Sequence, residues 1–310
     1  MTKHSKTMSD NRAKPVRRFW FKVLGFIVKQ LSGKGLERFP IVSRTYRFLT
    51  RHLIGENVIS VDVQGQKMYV NATFGLTLQS AGTYLSEKSM VNLFTGSVTE
   101  GMTVVDIGAH FGYYTLLAAR AVGIKGKVFC FEPEPSNYAL LLKNIEENNY
   151  NNVVPIQKAV TNTTGSIKLF IAKDPSGHSI ACDNPLQKAI DIDSITLDDF
   201  FRGREYPIDV IKVDVEGAEM TILQGMRNII AKNRQLNIFT EFNPGALTRT
   251  GYSPKEYFRL LTDYGFQIYM INEQKQSLEP AEVSHVMKMC RGVGYVNLLC
   301  KREQKGVALR

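Results

Sequence analysis

The amino-acid sequence predicts an α/β fold: a doubly wound, mostly parallel sheet of seven strands with helices on both faces. Two observations support this fold class. First, short apolar runs alternate with helical patterns from residue 103 onward, and that alternation is typical of parallel sheets. Second, residues 104–119 read as a buried strand, a tight glycine turn and an alanine-rich helix. This is the unit from which such sheets are built.

The predicted strands and helices follow one another along the chain. The strands cover residues 103–107, 127–132, 153–160, 208–214, 236–241, 266–271 and 293–300, with an extra strand over 166–172. The helices cover residues 87–96, 112–122, 136–149, 217–231 and 253–264, with a short helix at Asp198–Phe200 and a long loop over 173–188. Because no helical pattern separates the closing strands, we expect an antiparallel strand at the sheet edge.

Charge divides the chain into parts. The sequence holds 39 Lys and Arg residues against 29 Asp and Glu residues, a net charge of +10. Residues 1–55 carry 13 of the basic and 2 of the acidic residues, so the remainder is close to neutral. We therefore distinguish a basic N-terminal extension over 1–55, a hairpin and helix lead-in over 56–100, a main domain over 101–303 and a tail over 304–310.

The N-terminal extension contains a candidate amphipathic helix over residues 15–31. It is too short and too charged to span a bilayer, but a basic face opposite Trp and Phe suits a helix lying in a membrane interface. Packing on the main domain and nucleic-acid binding stay open as alternatives. The basic face holds Arg17, Arg18, Lys22 and Lys29, and the opposite face holds Val16, Phe19, Trp20, Val23, Phe26, Ile27 and Leu31.

Further patterns bear on the compartment. A second basic helix is predicted over 40–54 and a β-hairpin over 58–70.

The four cysteines show no CxxC spacing, which argues against a zinc site or a disulfide framework and is typical of a reducing compartment. Basic residues interrupt the N-terminal apolar run and no cleavage site follows it, so we expect neither a signal peptide nor a transmembrane helix. The expected location is cytoplasmic, either free or peripheral to a membrane.

The strand–turn–helix unit marks a candidate ligand site. Asp106 ends the strand, and Gly108 and Gly112 let the backbone approach a ligand closely. Twenty residues after Gly112 an apolar strand ends in Glu132, a spacing that suits a carboxylate binding a ribose diol. The two glycines are four residues apart, unlike the GxGxxG pattern of dinucleotide enzymes, so a nicotinamide cofactor is disfavoured.

Over roughly residues 80–300 the chain resembles the FkbM family of S-adenosylmethionine-dependent methyltransferases. The resemblance rests on Val105–Thr115, on Phe131-Glu132-Pro133, on Leu197–Phe200 and, most specifically, on Asp209–Glu219. It implies a Rossmann-like methyltransferase fold, with S-adenosylmethionine as the methyl donor.

Within this resemblance, the candidate cofactor residues take distinct roles. The turn's N–H groups and the helix dipole would hold the amino-acid end of the cofactor. Glu132 would accept both ribose hydroxyls, Ala159 would lie beside the adenine unless it only packs in the core, and Tyr84 would cover the cofactor. The predicted cofactor-binding residues are Tyr84, Asp106, Gly108, Ala109, His110, Gly112, Tyr114, Glu132, Ala159 and Asp214.

The predicted catalytic residues are Asp214, Glu216, Glu219 and His178. Asp214 ends the fourth strand, where it could deprotonate an acceptor, contact the cofactor's amino group or bind a metal. Glu216 and Glu219 could instead stabilise the helix that follows, and His178 could be an exposed loop residue. Asp214 with Glu241 and Asn243 offers oxygen ligands for Mg²⁺, but Phe242 interrupts the acid–amide pair, so we predict no metal cofactor.

The resemblance favours O-methylation of a hydroxyl on a small molecule, sugar or glycan. The basic extension suggests a membrane-associated acceptor such as a lipid-linked saccharide. Two alternatives stay open: an RNA methyltransferase, and a non-catalytic interaction module at a membrane. The sequence holds no Asn/Asp-Pro-Pro-Tyr/Phe motif of base-amino methyltransferases, and acids near the site disfavour phosphate, so nucleic acid is the weaker partner.

Overall fold

The computed structural model describes residues 58–71, 87–172, 178–180, 187–204 and 206–302. The chain divides into two compact units, Met1–Leu85 and Ser86–Arg310. Among the described residues, no helix is both long and apolar enough to cross a bilayer. The predicted helices over 15–31 and 40–54, the tail over 304–310 and Tyr84 lie outside the described residues.

The described part of the first unit is a β-hairpin. Strands β1 (Val58–Val63) and β2 (Gln66–Asn71) pair antiparallel, with Val63 opposite Gln66. Gln64 and Gly65 form the turn, with φ angles of 52° and 81°. Two positive φ angles in a two-residue loop match the twist of hairpin strands. The structure therefore confirms the predicted hairpin.

The second unit contains the alternating elements. Its strands are β3 (Thr103–Ile107), β4 (Lys127–Phe131), β5 (Val153–Ile156), β6 (Ala159–Val160), β7 (Gly165–Phe170), β8 (Ala189–Ile195), β9 (Val210–Val213), β10 (Asn237–Phe242), β11 (Phe266–Asn272), β12 (Ser277–Pro280) and β13 (Val296–Arg302). Its helices are α1 (Lys88–Ser97), α2 (Tyr113–Val122), α3 (Pro135–Glu147), α4 (Leu197–Phe200), α5 (Glu219–Gln224), α6 (Arg227–Lys232), α7 (Pro244–Arg249), α8 (Pro254–Asp263) and α9 (Val283–Val293).

The main sheet has the strand order β12-β11-β13-β10-β9-β3-β4-β5. The five strands β10, β9, β3, β4 and β5 run parallel to one another. Strand β13 runs antiparallel to both β10 and β11. This order confirms the doubly wound, mostly parallel α/β fold. An antiparallel strand does lie at the sheet edge, but it is β12, which pairs with β11 and was not among the predicted strands. The described sheet has eight strands rather than seven, because β12 was not predicted, and α9 separates the closing strands where no helix was expected.

Two predicted elements are divided in the structure. The strand predicted over 153–160 becomes β5 in the main sheet and β6 in a separate three-stranded sheet of order β6-β8-β7. The helix predicted over 217–231 becomes α5 and α6, which meet at Gly225 and Met226. A Cβ on Gly225 would lie 2.2 Å from the carbonyl oxygen of Thr161. The chain therefore bends at a position where only glycine fits against Thr161, the residue that follows β6.

Alternate residues of the central strands face opposite sides of the main sheet. One side belongs to a large apolar core that includes Val105, Ile107, Ile211, Val213, Ile238 and Phe242. The other side carries polar residues on four neighbouring strands: Asp106 on β3 lies opposite Lys212 on β9, and Glu241 on β10 lies opposite Asn297 on β13. Polar residues on one side of the sheet thus converge toward its carboxyl edge.

Candidate active site

The turn between β3 and α2 is built around two glycines in the left-handed region. Gly108 has a φ of 78° and Gly112 a φ of 92°. A Cβ on Gly108 would lie 1.9 Å from the carbonyl oxygen of Asp214, and one on Gly112 would lie 2.6 Å from Leu141. Between them His110 is also left-handed, at 54°, and its ring stacks on Phe111. The turn therefore needs glycine at both positions.

Several N–H groups of this turn are already bonded inside the protein. The N–H groups of Gly108 and Ala109 both donate to the carbonyl of Phe131. The Gly112 N–H donates to the Ala109 carbonyl, at 2.8 Å. The His110 N–H donates to Glu132 Oε2, also at 2.8 Å. The expectation that the turn's N–H groups hold a cofactor carboxylate is therefore weakened for these four positions.

Asp106 is a buried carboxyl with one unsatisfied oxygen. Only 1% of the residue is exposed. Its Oδ2 accepts a 2.6 Å hydrogen bond from the Thr115 hydroxyl, whereas Oδ1 is buried and has no hydrogen-bond partner among the described residues. Burial raises the pKa of Asp106, and Lys212 and Thr115 oppose that rise. A buried polar atom without a partner is uncommon in folded proteins and points to a strained, catalytic or ligand-binding position.

Glu132 follows the neighbouring strand β4 and is also buried. Its Oε2 accepts the His110 N–H, and its Oε1 accepts the N–H of Glu134 at 3.0 Å. Burial raises the pKa of Glu132 to about 7, against the lowering effect of those N–H groups. A carboxylate offers about four lone-pair sites. Glu132 can therefore accept further hydroxyl groups while it fixes the turn.

Lys212 and Asp214 form an ion pair at the end of β9. The Lys212 Nζ lies 2.8 Å from Asp214 Oδ2, and the side chains are 5% and 40% exposed respectively. The same ammonium lies 4.4 Å from the centroid of the Tyr114 ring, a cation–π contact. Burial alone would lower the pKa of Lys212, but Asp214, Asp106 and Glu87 raise it overall. Lys212 therefore stays charged inside the site.

Glu87, just before α1, joins three elements. Its Oε2 accepts a hydrogen bond from Tyr114, and its Oε1 accepts from Tyr295 and Asn297, at 3.2–3.3 Å. Reduced solvation and the nearby Asp214 raise the pKa of Glu87, whereas Lys212 lowers it. Glu87 thus fixes the Tyr114 ring that lies against Lys212.

The other predicted acids lie at the same edge of the sheet. Glu219 is 1% exposed; its Oε1 accepts the Gly217 N–H, and its Oε2 is buried without a hydrogen-bond partner among the described residues. Burial raises the pKa of Glu219 to about 7. Burial, then Asp214, Glu216 and Glu219, raise the pKa of Glu241 well above its usual range. The structure therefore gathers these carboxyls into one electrostatically coupled group.

Two further predicted ligands are already engaged. The Asn243 side-chain oxygen caps α7 by accepting the N–H of Ala246 at 3.0 Å. Asp214 is paired with Lys212, as described above. Among the described residues, no group of three or more His, Cys, Asp or Glu side chains is arranged to hold a metal ion. The geometry therefore gives no support to the weak Mg²⁺ site of Asp214, Glu241 and Asn243.

The surroundings of His178 and Ala159 support their predicted roles, as a catalytic residue and as an adenine contact, less well. His178 Nδ1 accepts a 3.0 Å hydrogen bond from the Ala172 N–H, which engages the lone pair that a neutral general base would need. Its neighbour Ser179 donates to the carbonyl of Glu216, so this segment does lie beside the acidic group. Ala159 begins β6 and packs with Leu169 and Ile192, the packing role that the sequence left open.

Sequence reasoning missed the roles of Lys212 and Glu87. The signal for Lys212 was present, since it is the single charged residue in the apolar run Val210–Val213. Glu87, Tyr295 and Asn297 give no comparable signal, because about two hundred residues separate Glu87 from its two partners. Only the folded sheet brings them together.

Comparison with solved structures finds methyltransferases of low sequence identity. An rRNA methylase from Streptococcus thermophilus aligns with a TM-score of 0.43 and 11% identity, covering 71% of this chain and 97% of that chain. Fibrillarin from Aeropyrum pernix, in complex with S-adenosyl-L-methionine, aligns with a TM-score of 0.41 and 13% identity, covering 79% and 82%. Because both TM-scores lie below 0.5, neither likeness says what this chain acts on.

Comparison with curated proteins and protein families is more specific. The hexuronic acid methyltransferase AglP of Haloferax volcanii is 25% identical over 182 residues, which are 57% of this chain and 68% of AglP. Methyltransferase sdnD of Sordaria araneosa is 26% identical over 156 residues, 40% of this chain and 60% of that protein, so this chain matches less than two thirds of sdnD. Residues 106–268, just over half of the chain, match the family model for the methyltransferase FkbM domain. The chain belongs to the FkbM methyltransferase family.

Proposed function

We propose that the chain is an S-adenosylmethionine-dependent methyltransferase that methylates a hydroxyl oxygen on a sugar, glycan or small molecule. Membership of the FkbM family supports methyl transfer. Similarity to AglP, named as a hexuronic acid methyltransferase, supports a sugar acceptor. The observation that carries the choice of methyl donor is the pair of buried carboxyls, Asp106 and Glu132, at the ends of neighbouring strands beside the glycine turn.

The residues of this site fit the proposed donor. S-Adenosylmethionine, when bound, supplies a methyl group activated by its sulfonium. The unsatisfied Asp106 Oδ1 suits a donor group from the cofactor's amino-acid end. The Glu132 carboxyl keeps lone pairs for the two ribose hydroxyls while it accepts N–H groups from the turn. Both acids thereby contact the ligand and keep the turn in place.

The charge at the carboxyl edge supports a cationic donor. Asp214, Glu216, Glu219 and Glu87 all lie close enough to Glu241 to raise its pKa, and the Lys212 ammonium is paired with Asp214. S-Adenosylmethionine carries a sulfonium and an ammonium, which this field attracts. The pyrophosphate of NAD and the phosphates of RNA carry negative charge, and the Lys212 ammonium at this edge is already paired with Asp214. The acidic edge therefore argues against both the nicotinamide and the RNA alternatives.

Methyl transfer to a hydroxyl needs orientation and a proton acceptor. Orientation of donor and acceptor can contribute about 7–11 kcal/mol of the barrier, and a general base adds about 10²–10⁴-fold. We propose that Asp214 or Glu216, both only partly buried, takes the proton, since His178 Nδ1 is engaged and Glu219 is buried. Glu216 has a left-handed φ of 52°, and strain of this kind is often found at functional sites.

The proposal is tested with tritiated S-adenosylmethionine and a panel of p-nitrophenyl glycosides that includes a glucoside, a galactoside and a glucuronide. We expect methyl transfer to at least one sugar, and thermal stabilisation by S-adenosylmethionine but not by NAD. Stabilisation by NAD alone would overturn the cofactor assignment. Methyl transfer to total RNA but to no glycoside would favour the RNA methyltransferase. Binding without any transfer, including to membrane and soluble cell fractions, would favour the non-catalytic module.

We also propose that the basic N-terminal extension brings the enzyme to anionic membranes, where a lipid-linked saccharide would be the acceptor. The support is in the sequence: 13 basic residues against 2 acidic ones over residues 1–55. Such a surplus attracts anionic lipid headgroups. The location that follows is the cytoplasmic face of a membrane.

A further inference from the structure

Lys212 is placed to control the orientation of Asp214. It projects from the middle of the parallel sheet, and only 5% of its side chain is exposed. A buried ammonium is costly unless anions and hydrogen bonds compensate it. Here the compensation comes from Asp214 Oδ2 at 2.8 Å, from the Tyr114 ring face and from the electrostatic influence of Asp106 and Glu87. The position of the ammonium is therefore constrained from several sides.

Asp214 links this buried ammonium to the glycine turn. Its Oδ2 accepts from Lys212, yet 40% of its side chain remains exposed at the carboxyl edge. Its backbone carbonyl lies against Gly108, close enough that a Cβ there would overlap it. Its N–H donates to the carbonyl of Ile107, the residue before the turn. Asp214 thus adjoins the turn at which the cofactor's amino-acid end is proposed to bind.

Glu87 and its partners hold the Tyr114 ring that lies against the Lys212 ammonium. The Tyr114 hydroxyl donates to Glu87, which also accepts from Tyr295 and Asn297 on the far side of the network. Phe94 packs edge-on against the Tyr114 ring at 5.1 Å. The ring that faces Lys212 therefore has little freedom to move, and neither has the ammonium.

We propose that Lys212 is a positioning residue for the methyl donor: it holds Asp214 by one oxygen, so that the carboxylate's open side accepts the α-ammonium of S-adenosylmethionine. This inference rests on the proposed function. It assigns Asp214 to the donor and leaves Glu216 as the acid beside the acceptor. If Lys212 has only a structural role, it neutralises Asp106 and Glu87. Its removal then changes S-adenosylmethionine affinity by the same factor whether residue 214 is Asp or Asn.

A double-mutant cycle separates the two roles. Binding of S-adenosylmethionine is measured by calorimetry for the full-length wild type, Lys212→Met, Asp214→Asn and the double variant. We expect each single substitution to weaken binding about tenfold, and the double variant to be about as weak as Asp214→Asn alone. Single effects that multiply, or a Lys212→Met affinity within about twofold of wild type, would overturn the proposal.

One control variant and one replacement variant complete the test. Lys158→Met removes a surface lysine that pairs with Asp193, and should leave the affinity unchanged. If Lys212→Met does not fold, Tyr114→Leu removes the ring face from the ammonium in its place. Tyr114→Leu should weaken S-adenosylmethionine binding in the wild-type protein but not in Asp214→Asn. An equal loss of affinity in both proteins, or no loss in either, overturns the proposal. A wild type that binds no S-adenosylmethionine would refute the proposed function itself, a result distinct from binding without coupling.

Discussion

The Cα of Gly108 lies directly against the carbonyl oxygen of Asp214: a Cβ at this position would sit 1.9 Å from that oxygen. This approach joins the glycine turn to the end of β9, two segments about a hundred residues apart in the sequence. The first β–α turn and the Asp209–Glu219 segment are therefore parts of one site.

Replacing Gly108 by alanine should destabilise the protein strongly. The substitution meets both the clash with Asp214 and a φ of 78° that disfavours any side chain. We expect a loss of at least about 2 kcal/mol in unfolding free energy, measured by urea denaturation. Gly101→Ala is the matched control, because Gly101 has a φ of 86° but no atom within 4 Å of the added Cβ. Equal losses in the two variants would show that the contact with Asp214 contributes nothing.

Thr115 should be needed to accommodate the buried Asp106. Its hydroxyl donates the 2.6 Å hydrogen bond to Oδ2, and Oδ1 has no hydrogen-bond partner among the described residues. Thr115→Val keeps the shape but removes the donor, so we expect a loss of about 1–3 kcal/mol in unfolding free energy at neutral pH. Thr115→Ser keeps the hydroxyl and should recover much of that loss. If the valine and serine variants are equally stable, the hydrogen bond is not the cause.

Glu219 should make stability fall as pH rises. Burial raises its folded pKa from 4.5 to about 7, so between these values the folded state binds more protons than the unfolded state. Its contribution is fully present below pH 4.5 and is lost by about pH 7, an amount of about 3 kcal/mol. Glu219→Gln keeps an oxygen for the Gly217 N–H and cannot ionise.

The test for Glu219 compares urea denaturation of wild type and Glu219→Gln from pH 4.5 to 8. We expect the stability of the glutamine variant relative to wild type to increase across this range. Glu100→Gln, at an exposed ion pair with Lys125, is the control and should change little with pH. A constant difference between wild type and Glu219→Gln would contradict the raised pKa.

The N-terminal extension should carry membrane binding. We expect the full-length protein to co-sediment with vesicles that contain phosphatidylserine. A variant that lacks residues 1–35 should not co-sediment with them. The cause would be attraction between the basic residues and the anionic headgroups, so added salt should weaken it. Uncharged phosphatidylcholine vesicles are the control. Equal sedimentation of both proteins would remove the membrane proposal.

The sequence predicts the parallel half of the fold well, because residues close together in the sequence determine the strands and helices of that half. Four of its five strands (β3, β4, β9 and β10) are short apolar runs followed by a helix, and α8 has a capping box of Ser253 and Glu256. The parts it misses depend on distant contacts. Helices α5 and α6 separate at Gly225, which packs against Thr161, the residue that follows β6. A regular apolar pattern continues across that break, so the pattern alone predicts one helix.

The candidate site shows the same division. Asp106 is the second-last residue of β3, and Glu132 and Asp214 directly follow β4 and β9, so all three can be found by their position in the sequence pattern. Lys212 faces the Tyr114 ring on α2, and Glu87 accepts hydrogen bonds from Tyr114, Tyr295 and Asn297, contacts that join segments far apart in the sequence. The turn's glycines are predictable, but the use of the His110 N–H by Glu132 is not, because it depends on how far β4 extends beside the turn.

Glu132 should be the residue whose loss most directly reduces donor affinity. It is 5% exposed and lies beside the turn. In the proposed complex it accepts both ribose hydroxyls, so Glu132→Ala should weaken S-adenosylmethionine binding by about 1–3 kcal/mol in calorimetry. Because Glu132 also accepts the His110 and Glu134 N–H groups, unfolding must be measured on the same variant. Glu146→Ala, at an exposed position of α3, is the matched control. S-Adenosylmethionine affinity unchanged in a folded Glu132→Ala protein would place the ribose elsewhere.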